Sequence, residues 1–304
     1  MDEREFECYM KAGEIAAKVR RYVEQSVKPG EKLIDIANRV EDFIRSFGAE
    51  PAFPLNISIN DVAAHYTPLP NDPSVLPPNS VVKIDIGVHV EGYIADTAVT
   101  LCFNDKYVTL VEATREALER AIQRVAPGIR FSEIGKIVEE VLRSYGYRPI
   151  YNLSGHSLGR YLIHAGETIP NFRDVRIFGR FRDGNAYAIE PFATNGCGFV
   201  IEGSTVPIYA LKPNPKKVRD LGSEARKVFE TVYNHRRTLP FALRWYLTKF
   251  DLDTLVKALN EMKRLGLVVE YPILVERSGG VVAQFEHTVV IYRGKVYVTT
   301  VGGG

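Results

Sequence analysis

Cysteine is scarce in this chain, which contains only three among its 304 residues. Cys8, Cys102 and Cys197 lie far apart, and no two of them have CxxC spacing. An odd number of scattered cysteines argues against a disulfide framework and against a zinc site built on thiolates. The pattern predicts a protein of a reducing, cytoplasmic compartment.

Strong net charge and long apolar runs are also missing. The formal charge is +2, which is too mild to indicate a polyanionic partner. No segment is long and uncharged enough to span a bilayer, and the stretch MDEREFECYMKAGEIAAKVRR lacks a basic region followed by an apolar one. We therefore expect a cytoplasmic protein with no membrane partner and no specific nucleic-acid partner.

The pattern of apolar residues predicts a fold that mixes helices and strands. Helical spacing covers residues 3–27, 33–48, 106–125 and 131–147, and Ser132 is placed to cap the last helix. Short β-rich pieces separated by glycines follow, and the segments SGG and RGK are typical of hairpin turns. Strands and helices do not alternate regularly, so the α+β class is favoured over a Rossmann or barrel chain.

A block from Asn214 to about Val269 differs from its surroundings, because it is helical and has more Lys and Arg than Asp and Glu. It predicts an inserted subdomain. Its stretch TLVKALNEMKRLGLVVEYPILVERSGGVV resembles a winged helix with a wing, which is a feature of some nucleic-acid binders. The alternative is a solvated insertion that walls one side of a cleft, and this interpretation is favoured.

The stretch KIDIGVHVEGYIADTAV places Asp85 and Asp96 inside two apolar runs that otherwise have the pattern of strand interiors. A hairpin centred between Val90 and Glu91 would make the two carboxylates directly opposite partners on one face. Opposed side chains have Cβ atoms about 4.5–5.5 Å apart, where like charges are destabilising. Ion pairs with nearby Lys or Arg are the alternative, but the matched pair favours a bound cation.

Two histidines and two glutamates complete the candidate set. His156 and His164 lie in SGHSLGRYLIHAG, on one face if the strand continues past Gly159. Glu190 and Glu286 are each embedded in an apolar strand, where a carboxylate needs a partner. Pairing with an arginine or a position at a loop edge is the alternative for the glutamates. Four carboxylates and one histidine suffice for two divalent ions about 3.5–4 Å apart, as in some hydrolases.

The chain resembles the type II methionine aminopeptidases. The resemblance covers nearly the full length and depends on AFP, NDVAAHYTP, KIDIGVHVEGYIADTAV, GHSLGRYLIHAG, IEPFAT and AQFEHTVV. It implies a pita-bread fold, in which helices flank a curved antiparallel sheet. It also implies a dinuclear metal centre, whose ligands fall on Asp85, Asp96, His156, Glu190 and Glu286.

The same resemblance implies hydrolysis by a hydroxide that bridges the two ions. Glu190 would move the proton, His164 would bond the substrate carbonyl or oxyanion, and His65 would contact the scissile amide. Phe53, Ile163 and Tyr271 would form the apolar pocket for the methionine side chain, although ordinary core packing is the alternative for each. The expected substrates are peptides and nascent proteins with a free N-terminal Met and a small second residue.

The resemblance also implies a domain division, with a catalytic domain of residues 1–207 and 272–304 and an insertion of residues 208–271. The subclass suggests a monomer. The native metal stays open among Co, Mn, Fe(II) and Zn, which a site of carboxylates with one imidazole can bind. Transient proximity to the ribosome is a further hypothesis, with Lys257, Lys263 and Arg264 as the contact.

Two rival functions remain at this point. One is a proline-specific relative, an Xaa-Pro aminopeptidase or prolidase, which resembles this catalytic fold but usually carries an additional N-terminal domain. The other is a non-catalytic pita-bread protein that binds ribosome or RNA and has lost its metal site. Such a protein is expected to lack some of the five ligands, and this chain lacks none.

Overall fold

The computed structural model describes residues 1–301 of the chain. Its helices, numbered in chain order, are α1 (Glu3–Ser26), α2 (Leu33–Ser46), α3 (Val108–Gln123), α4 (Phe131–Ser144), α5 (Pro215–Val218), α6 (Ser223–Arg236) and α7 (Leu252–Arg264). Two 3₁₀ turns cover Asp105–Tyr107 and Leu243–Tyr246.

The strands are short except for one long pair. They are β1 (Glu50–Pro51), β2 (Asn56–Ile59), β3 (Val62–Ala64), β4 (Val81–Val90), β5 (Tyr93–Cys102), β6 (Arg148–Pro149), β7 (Ser154–Leu158), β8 (Thr168–Pro170), β9 (Ala186–Ile189), β10 (Phe192–Thr194), β11 (Val200–Glu202), β12 (Ile208–Leu211), β13 (Val268–Tyr271), β14 (Leu274–Glu276), β15 (Val282–Gln284), β16 (His287–Tyr292) and β17 (Lys295–Val298).

The four predicted helices of the first half are confirmed as α1 to α4. Each buries one apolar stripe, and α1 begins with a capping box in which Asp2 accepts from the backbone N–H of Glu5. The predicted cap of α4 is wrong. Ser132 lies inside the first turn, and Arg130 holds the N-cap position with its N–H donated to the Glu133 carboxylate. The carboxylate of Glu133, at the third helical position, therefore accepts a backbone N–H at the start of the helix.

The hairpin of β4 and β5 is confirmed, but its predicted register is wrong. The two-residue turn consists of Glu91 and Gly92, both with positive φ, as a type I′ turn requires. The turn is therefore centred one residue later than predicted, and Asp96 lies opposite Gly87 while Asp85 lies opposite Ala98. The two aspartates are diagonal neighbours that still share a face, because the side-chain period is two.

The remaining sheets surround this hairpin. The strand β4 is bordered by β1, β2 and β5, and a five-stranded sheet has the order β17, β16, β9, β7, β8. The assigned strand pairs within residues 1–301 are antiparallel, and these sheets do not close into a barrel. Helix α1 packs on β4 and β5, while α3 and α4 pack on each other. The α+β prediction is confirmed, with one large apolar core between helices and sheets.

The two predicted hairpin turns near the end of the chain differ in outcome. The RGK turn joins β16 to β17 through Arg293 and Gly294, both with positive φ. The SGG segment does not make a hairpin, because β14 pairs with β11 and β3 whereas β15 pairs with β10. It wraps instead around the side chain of Glu276.

The segment between Ile208 and Tyr271 begins and ends in one strand pair, β12 with β13, in which these two residues lie opposite each other. Helices α6 and α7 pack on each other beyond this pair and enclose a separate apolar cluster, which includes Phe229, Leu255 and Leu267. The likeness to a winged helix stays a prediction. Among the described residues, no helix has the length and apolar character needed to cross a membrane.

Candidate metal centre and substrate cavity

One cavity of about 350 Å³ collects all ten residues predicted for the site. It is lined by the candidate ligands Asp85, Asp96, His156, Glu190 and Glu286, by His65 and His164, and by Phe53, Ile163 and Tyr271. These side chains come from distant parts of the sequence, so the antiparallel sheets are what bring them together.

The candidate ligands are held by five neighbouring backbone segments. Asp85 and Asp96 project from β4 and β5, and His156 projects from β7. The prediction that both glutamates lie within strands is wrong: Glu190 follows the last residue of β9, and Glu286 precedes the first residue of β16. Because β9 pairs with β16 and β7, the ends of these strands place both glutamates beside His156.

Several donor atoms of the candidate ligands lie close together. The Nε2 atom of His156 lies 3.4 Å from Oε1 of Glu190 and 3.8 Å from Oδ2 of Asp96. One ligand atom each from Asp96, His156 and Glu286 lies within 4.8 Å of the other two. Such a group of carboxylate oxygens and one imidazole nitrogen is a donor set that suits divalent transition metals.

Several polar atoms of this cluster are buried and have no hydrogen-bond partner in the described part of the chain. They are Oδ1 of Asp85, Oδ1 of Asp96, Nδ1 of His156 and both carboxylate oxygens of Glu286. Asp96 is 3% exposed and Glu286 is 1% exposed. Buried carboxylates are strongly destabilising unless a cation or a set of hydrogen bonds compensates them. The residues present therefore fit a bound metal.

The crowding of these buried carboxylates also explains the shifted pKa values of the candidate ligands. Burial raises the pKa of Asp85 to about 7, and burial together with the charge of Asp85 raises the pKa of Asp96 and Glu190 well above the ordinary range. Burial and the charge of Asp96 do the same to Glu286. Burial lowers the pKa of His156 to about 3, so the imidazole is a neutral potential ligand. Without a cation, the four carboxylates resist being ionised together.

His65 and His164 lie beside the cluster on the cavity wall. The ring of His164 is 4.6 Å from that of His156, although the chain between them is not a continuous strand: β7 ends at Leu158 and a turn follows. The Nδ1 atom of His65 lies 3.1 Å from the carbonyl oxygen of Pro272 and donates to it. Burial lowers the pKa of His65 to about 4, so its Nε2 is left as an acceptor.

The three predicted pocket residues form the apolar part of the cavity. Phe53 and Ile163 are 7% and 6% exposed, and both also belong to an apolar cluster of the core. The Phe53 ring lies directly over Gly87, where an added Cβ would be 2.3 Å from Cε1. The ring of Tyr271 contacts His65 edge-on at 5.6 Å. Lining the cavity and packing the core are therefore compatible roles.

Gln284 is a further residue beside the candidate ligands that the sequence motifs do not indicate. It is 1% exposed, and its Nε2 donates to Oε2 of Glu190 at 3.3 Å. A polar residue in the apolar run VVAQFEHTVV was the available signal. Thr288, also missed, holds Asp96 in place, because its hydroxyl accepts from the Asp96 N–H and donates to the Asp96 carbonyl.

Comparison with known proteins agrees with this geometry. Residues 7–293 match the model of metallopeptidase family M24. A methionine aminopeptidase of Thermococcus onnurineus is 47% identical over 301 residues, which cover 99% of this chain and 100% of that protein.

Solved structures share the fold at lower identity. A structure described as a thermophilic Arx1 has a TM-score of 0.86 at 18% identity and covers 100% of this chain and 92% of its own. A methionine aminopeptidase from Thermotoga maritima has a TM-score of 0.71 at 23% identity and covers 99% of this chain and 98% of its own. The predicted pita-bread fold is confirmed. With its full-length similarity to methionine aminopeptidases, this chain belongs to metallopeptidase family M24.

Proposed function

We propose that the chain removes the N-terminal methionine from peptides and nascent proteins in a metal-dependent hydrolysis. The relatives that match over the full length are named methionine aminopeptidases, and the family is one of metallopeptidases. The observation that carries the proposal is the cluster of buried carboxylates with unpartnered oxygens at one side of a half-apolar cavity. A binding protein without catalysis has no need for such a cluster.

Asp85, Asp96, His156, Glu190 and Glu286 would hold the metal, as a set of two divalent ions of unassigned identity. When bound, divalent ions supply Lewis acidity and lower the pKa of water, which are the two contributions that amide hydrolysis needs at neutral pH. Gln284 orients Glu190 by donating to Oε2, and Thr288 fixes the backbone of Asp96. Such supporting contacts tune the ligands of a metal site.

The chain's own groups account for proton movement and orientation. Glu190 lines the cavity beside His156, so its carboxylate would take the proton of the attacking water and pass it to the departing amine. The acceptor Nε2 of His65 suits the N–H of the scissile amide. His164, whose pKa is lowered by burial, donates to the substrate carbonyl in its neutral form.

Removal of only the first residue follows from charge and shape. Asp85 and Asp96 would hold an ion that supplies a binding site for the free N-terminal amine, while Phe53, Ile163 and Tyr271 receive the methionine side chain. A second residue of small size is expected, because His65 and Tyr271 crowd the position next to the scissile bond. An acetylated N-terminus has no ammonium and is expected to bind poorly.

The division into residues 1–207 with 272–304 and an insertion of 208–271 is part of this proposal, as are a cytoplasmic location and a monomeric state. The strand pair of Ile208 with Tyr271 supports these bounds. The ribosome contact has less support. Lys257 forms an ion pair with Asp253, and Lys263 forms one with Glu270, so little positive charge is left free on α7. Unchanged ribosome co-sedimentation after charge reversal of Lys257, Lys263 and Arg264 would contradict the contact.

The test is release of free methionine from Met-Gly-Met-Met and from its N-acetylated form. Metal-stripped protein is resupplied with Mn, Co, Fe(II) or Zn, beside an Asp85→Ala variant. We expect release that requires metal, occurs only from the free amine and is lost in the variant. Absence of release with every ion, from protein that binds metal, would contradict the proposal.

A further inference from the structure

The inserted segment reaches the substrate cavity at its two bounding residues, Ile208 and Tyr271, and again within residues 236–240, at the end of helix α6. The helix ends at Arg236, and Arg237 reverses the chain with φ +55°. Leu239 is fully buried, and Pro240 lines the cavity. The insertion therefore contributes to the wall of the cavity in addition to having its own core.

Arg236 is one of the largest fully buried side chains, at 1% exposure. Its Nη2 atom donates to the carbonyl oxygens of Pro51 at 2.6 Å, Ala52 at 2.9 Å and Pro240 at 3.2 Å. The guanidinium also lies 4.9 Å from the ring centre of Trp245. Within residues 1–301 it forms no ion pair with a carboxylate, so backbone carbonyls and one aromatic ring compensate its burial.

Two of the three carbonyls that Arg236 binds, those of Pro51 and Ala52, belong to the backbone just before Phe53. This backbone is fixed on its other side by the N–H of Ala52, which donates to the carbonyl of Gly87 at 2.8 Å. The Phe53 ring then covers Gly87 on the face of β4 that carries Asp85. The position of this ring in the cavity thus depends on hydrogen bonds that hold the preceding backbone to β4 on one side and to Arg236 of the insertion on the other.

The same short segment also holds the opposite apolar wall. The hydroxyl of Thr238 donates to the carbonyl of Tyr161, two residues before Ile163. Leu239 packs in the apolar cluster that contains both Phe53 and Ile163. Residues 236–240 therefore connect the two side chains between which the substrate's first side chain is expected to lie.

We infer that Arg236 is a positioning residue that sets the shape of the apolar end of the cavity, and thereby the selectivity for the first residue of the substrate. The inference rests on the proposed function, because selectivity has a meaning only if the cavity receives an N-terminal residue. The insertion thereby contributes to the selectivity for the substrate. Arg236 itself does not touch the reacting atoms.

A matched control exists on the same helix. Arg226 also donates from Nη2 to two backbone carbonyls, those of Arg219 at 2.6 Å and Leu221 at 3.0 Å. Both of these carbonyls lie within the insertion and away from the cavity. Loss of Arg226 therefore removes similar hydrogen bonds and a similar charge without releasing the cavity wall.

The experiment compares wild type, Arg236→Met and Arg226→Met on Met-Gly-Met-Met and Leu-Gly-Met-Met. For Arg236→Met we expect KM for the Met peptide to rise about tenfold while kcat stays within about threefold, as for loss of uniform binding. The preference for Met over Leu should fall by about tenfold, because the pocket wall is no longer fixed. Metal content should be unchanged. Arg226→Met should match wild type in KM and preference.

The possible failures are distinguishable. If wild type and Arg226→Met release no methionine, the proposed function fails. If they are active and Arg236→Met equals Arg226→Met in KM and preference, the inference is overturned. If Arg236→Met does not fold, Arg236→Lys decides, because a lysine keeps the charge but its shorter side chain does not place its nitrogen where Nη2 of Arg236 lies. A change in KM and in the preference for Met that is smaller than tenfold, but measurably different from that of Arg226→Met, also supports the inference. Values equal to those of Arg226→Met overturn it.

Discussion

Two glutamates ten positions apart show what distinguishes a candidate metal ligand from a structural carboxylate. Glu276 and Glu286 are both 1% exposed. Glu276 accepts four hydrogen bonds, from the N–H groups of Gly198, Ser278 and Gly280 and from the Ser278 hydroxyl, at 2.7–3.0 Å. Among residues 1–301, neither carboxylate oxygen of Glu286 has a hydrogen-bond partner. The two side chains are equally shielded from solvent, but the described part of the protein donates four hydrogen bonds to Glu276 and none to Glu286.

The pKa values of the two carboxyls diverge accordingly. Burial raises the pKa of Glu276, but the bonds from Ser278 and the surrounding N–H groups outweigh it and bring the pKa to about 2. Burial and the charges of Asp96 and Glu190 raise the pKa of Glu286 well above the ordinary range. Glu276 is a stable anion inside the protein alone, whereas Glu286 needs an external cation to be one.

The largest expected effect is on catalysis. Glu286→Gln should lower kcat/KM for Met-Gly-Met-Met at least about 1,000-fold, because metal ions supply several kcal/mol of transition-state stabilisation. Glu276→Gln should keep kcat/KM within about threefold in protein that is folded, since it lies outside the ligand cluster. An equal loss of kcat/KM in the two variants would contradict the distinction between Glu276 and Glu286.

A smaller effect is expected from the contact that supports Glu190. Gln284→Leu removes the donor to Oε2 of Glu190 but keeps the five candidate ligands. We expect metal affinity to fall about 10- to 100-fold, as is typical when a supporting partner of a ligand is lost. Titration of metal-stripped protein with Mn measures this affinity. Wild-type affinity in the variant would show that Gln284 is not part of the site.

The smallest effect is a dependence of stability on pH in metal-free protein. The pKa of Asp85 is raised from 3.8 to about 7, so its protonated form stabilises the fold at low pH, and this contribution is lost as the pH rises through about 7. Glu276, lowered from 4.5 to about 2, stabilises the fold above its ordinary pKa and loses this contribution as the pH falls through 2.

Urea unfolding of metal-free protein between about pH 5 and about pH 8 tests this opposition. The free energy of unfolding should decrease with rising pH in wild type, and Asp85→Asn should flatten that decrease. Glu276→Gln should lower the whole curve by about 1–3 kcal/mol, the cost of disrupting a buried charged hydrogen-bond set, without changing its slope in this range. A slope that is the same in Asp85→Asn and wild type would contradict the raised pKa.

The sequence allowed the members of the site to be predicted better than their exact placement. Asp85 and Asp96 stand out because carboxylates are rare in apolar strands, yet their register depended on a turn in which Glu91 adopts a positive φ, an arrangement that this side chain rarely favours. Ser132 was taken for a cap because its residue type is favoured there, but Glu133 supplies the helix start instead.

Compensation across the fold was beyond prediction from local patterns. Glu276 ends β14 and is followed by the turn segment RSGG, whereas Glu286 lies between two apolar strands. Of the four hydrogen bonds to Glu276, three come from the nearby Ser278 and Gly280, and one comes from Gly198, 78 positions away. Arg236 was likewise missed, because the carbonyls that it binds lie some 185 positions earlier in the chain. Which buried charges receive hydrogen bonds from distant segments is visible only in the folded structure.

The most direct test of the account is the metal content of wild type, Glu276→Gln and Glu286→Gln after loading with Mn and gel filtration, measured by atomic absorption. The account predicts that Glu276→Gln retains the wild-type number of ions per chain and that Glu286→Gln retains fewer. Equal metal content in Glu286→Gln and wild type would contradict the assignment of the unpartnered carboxylates as the metal site.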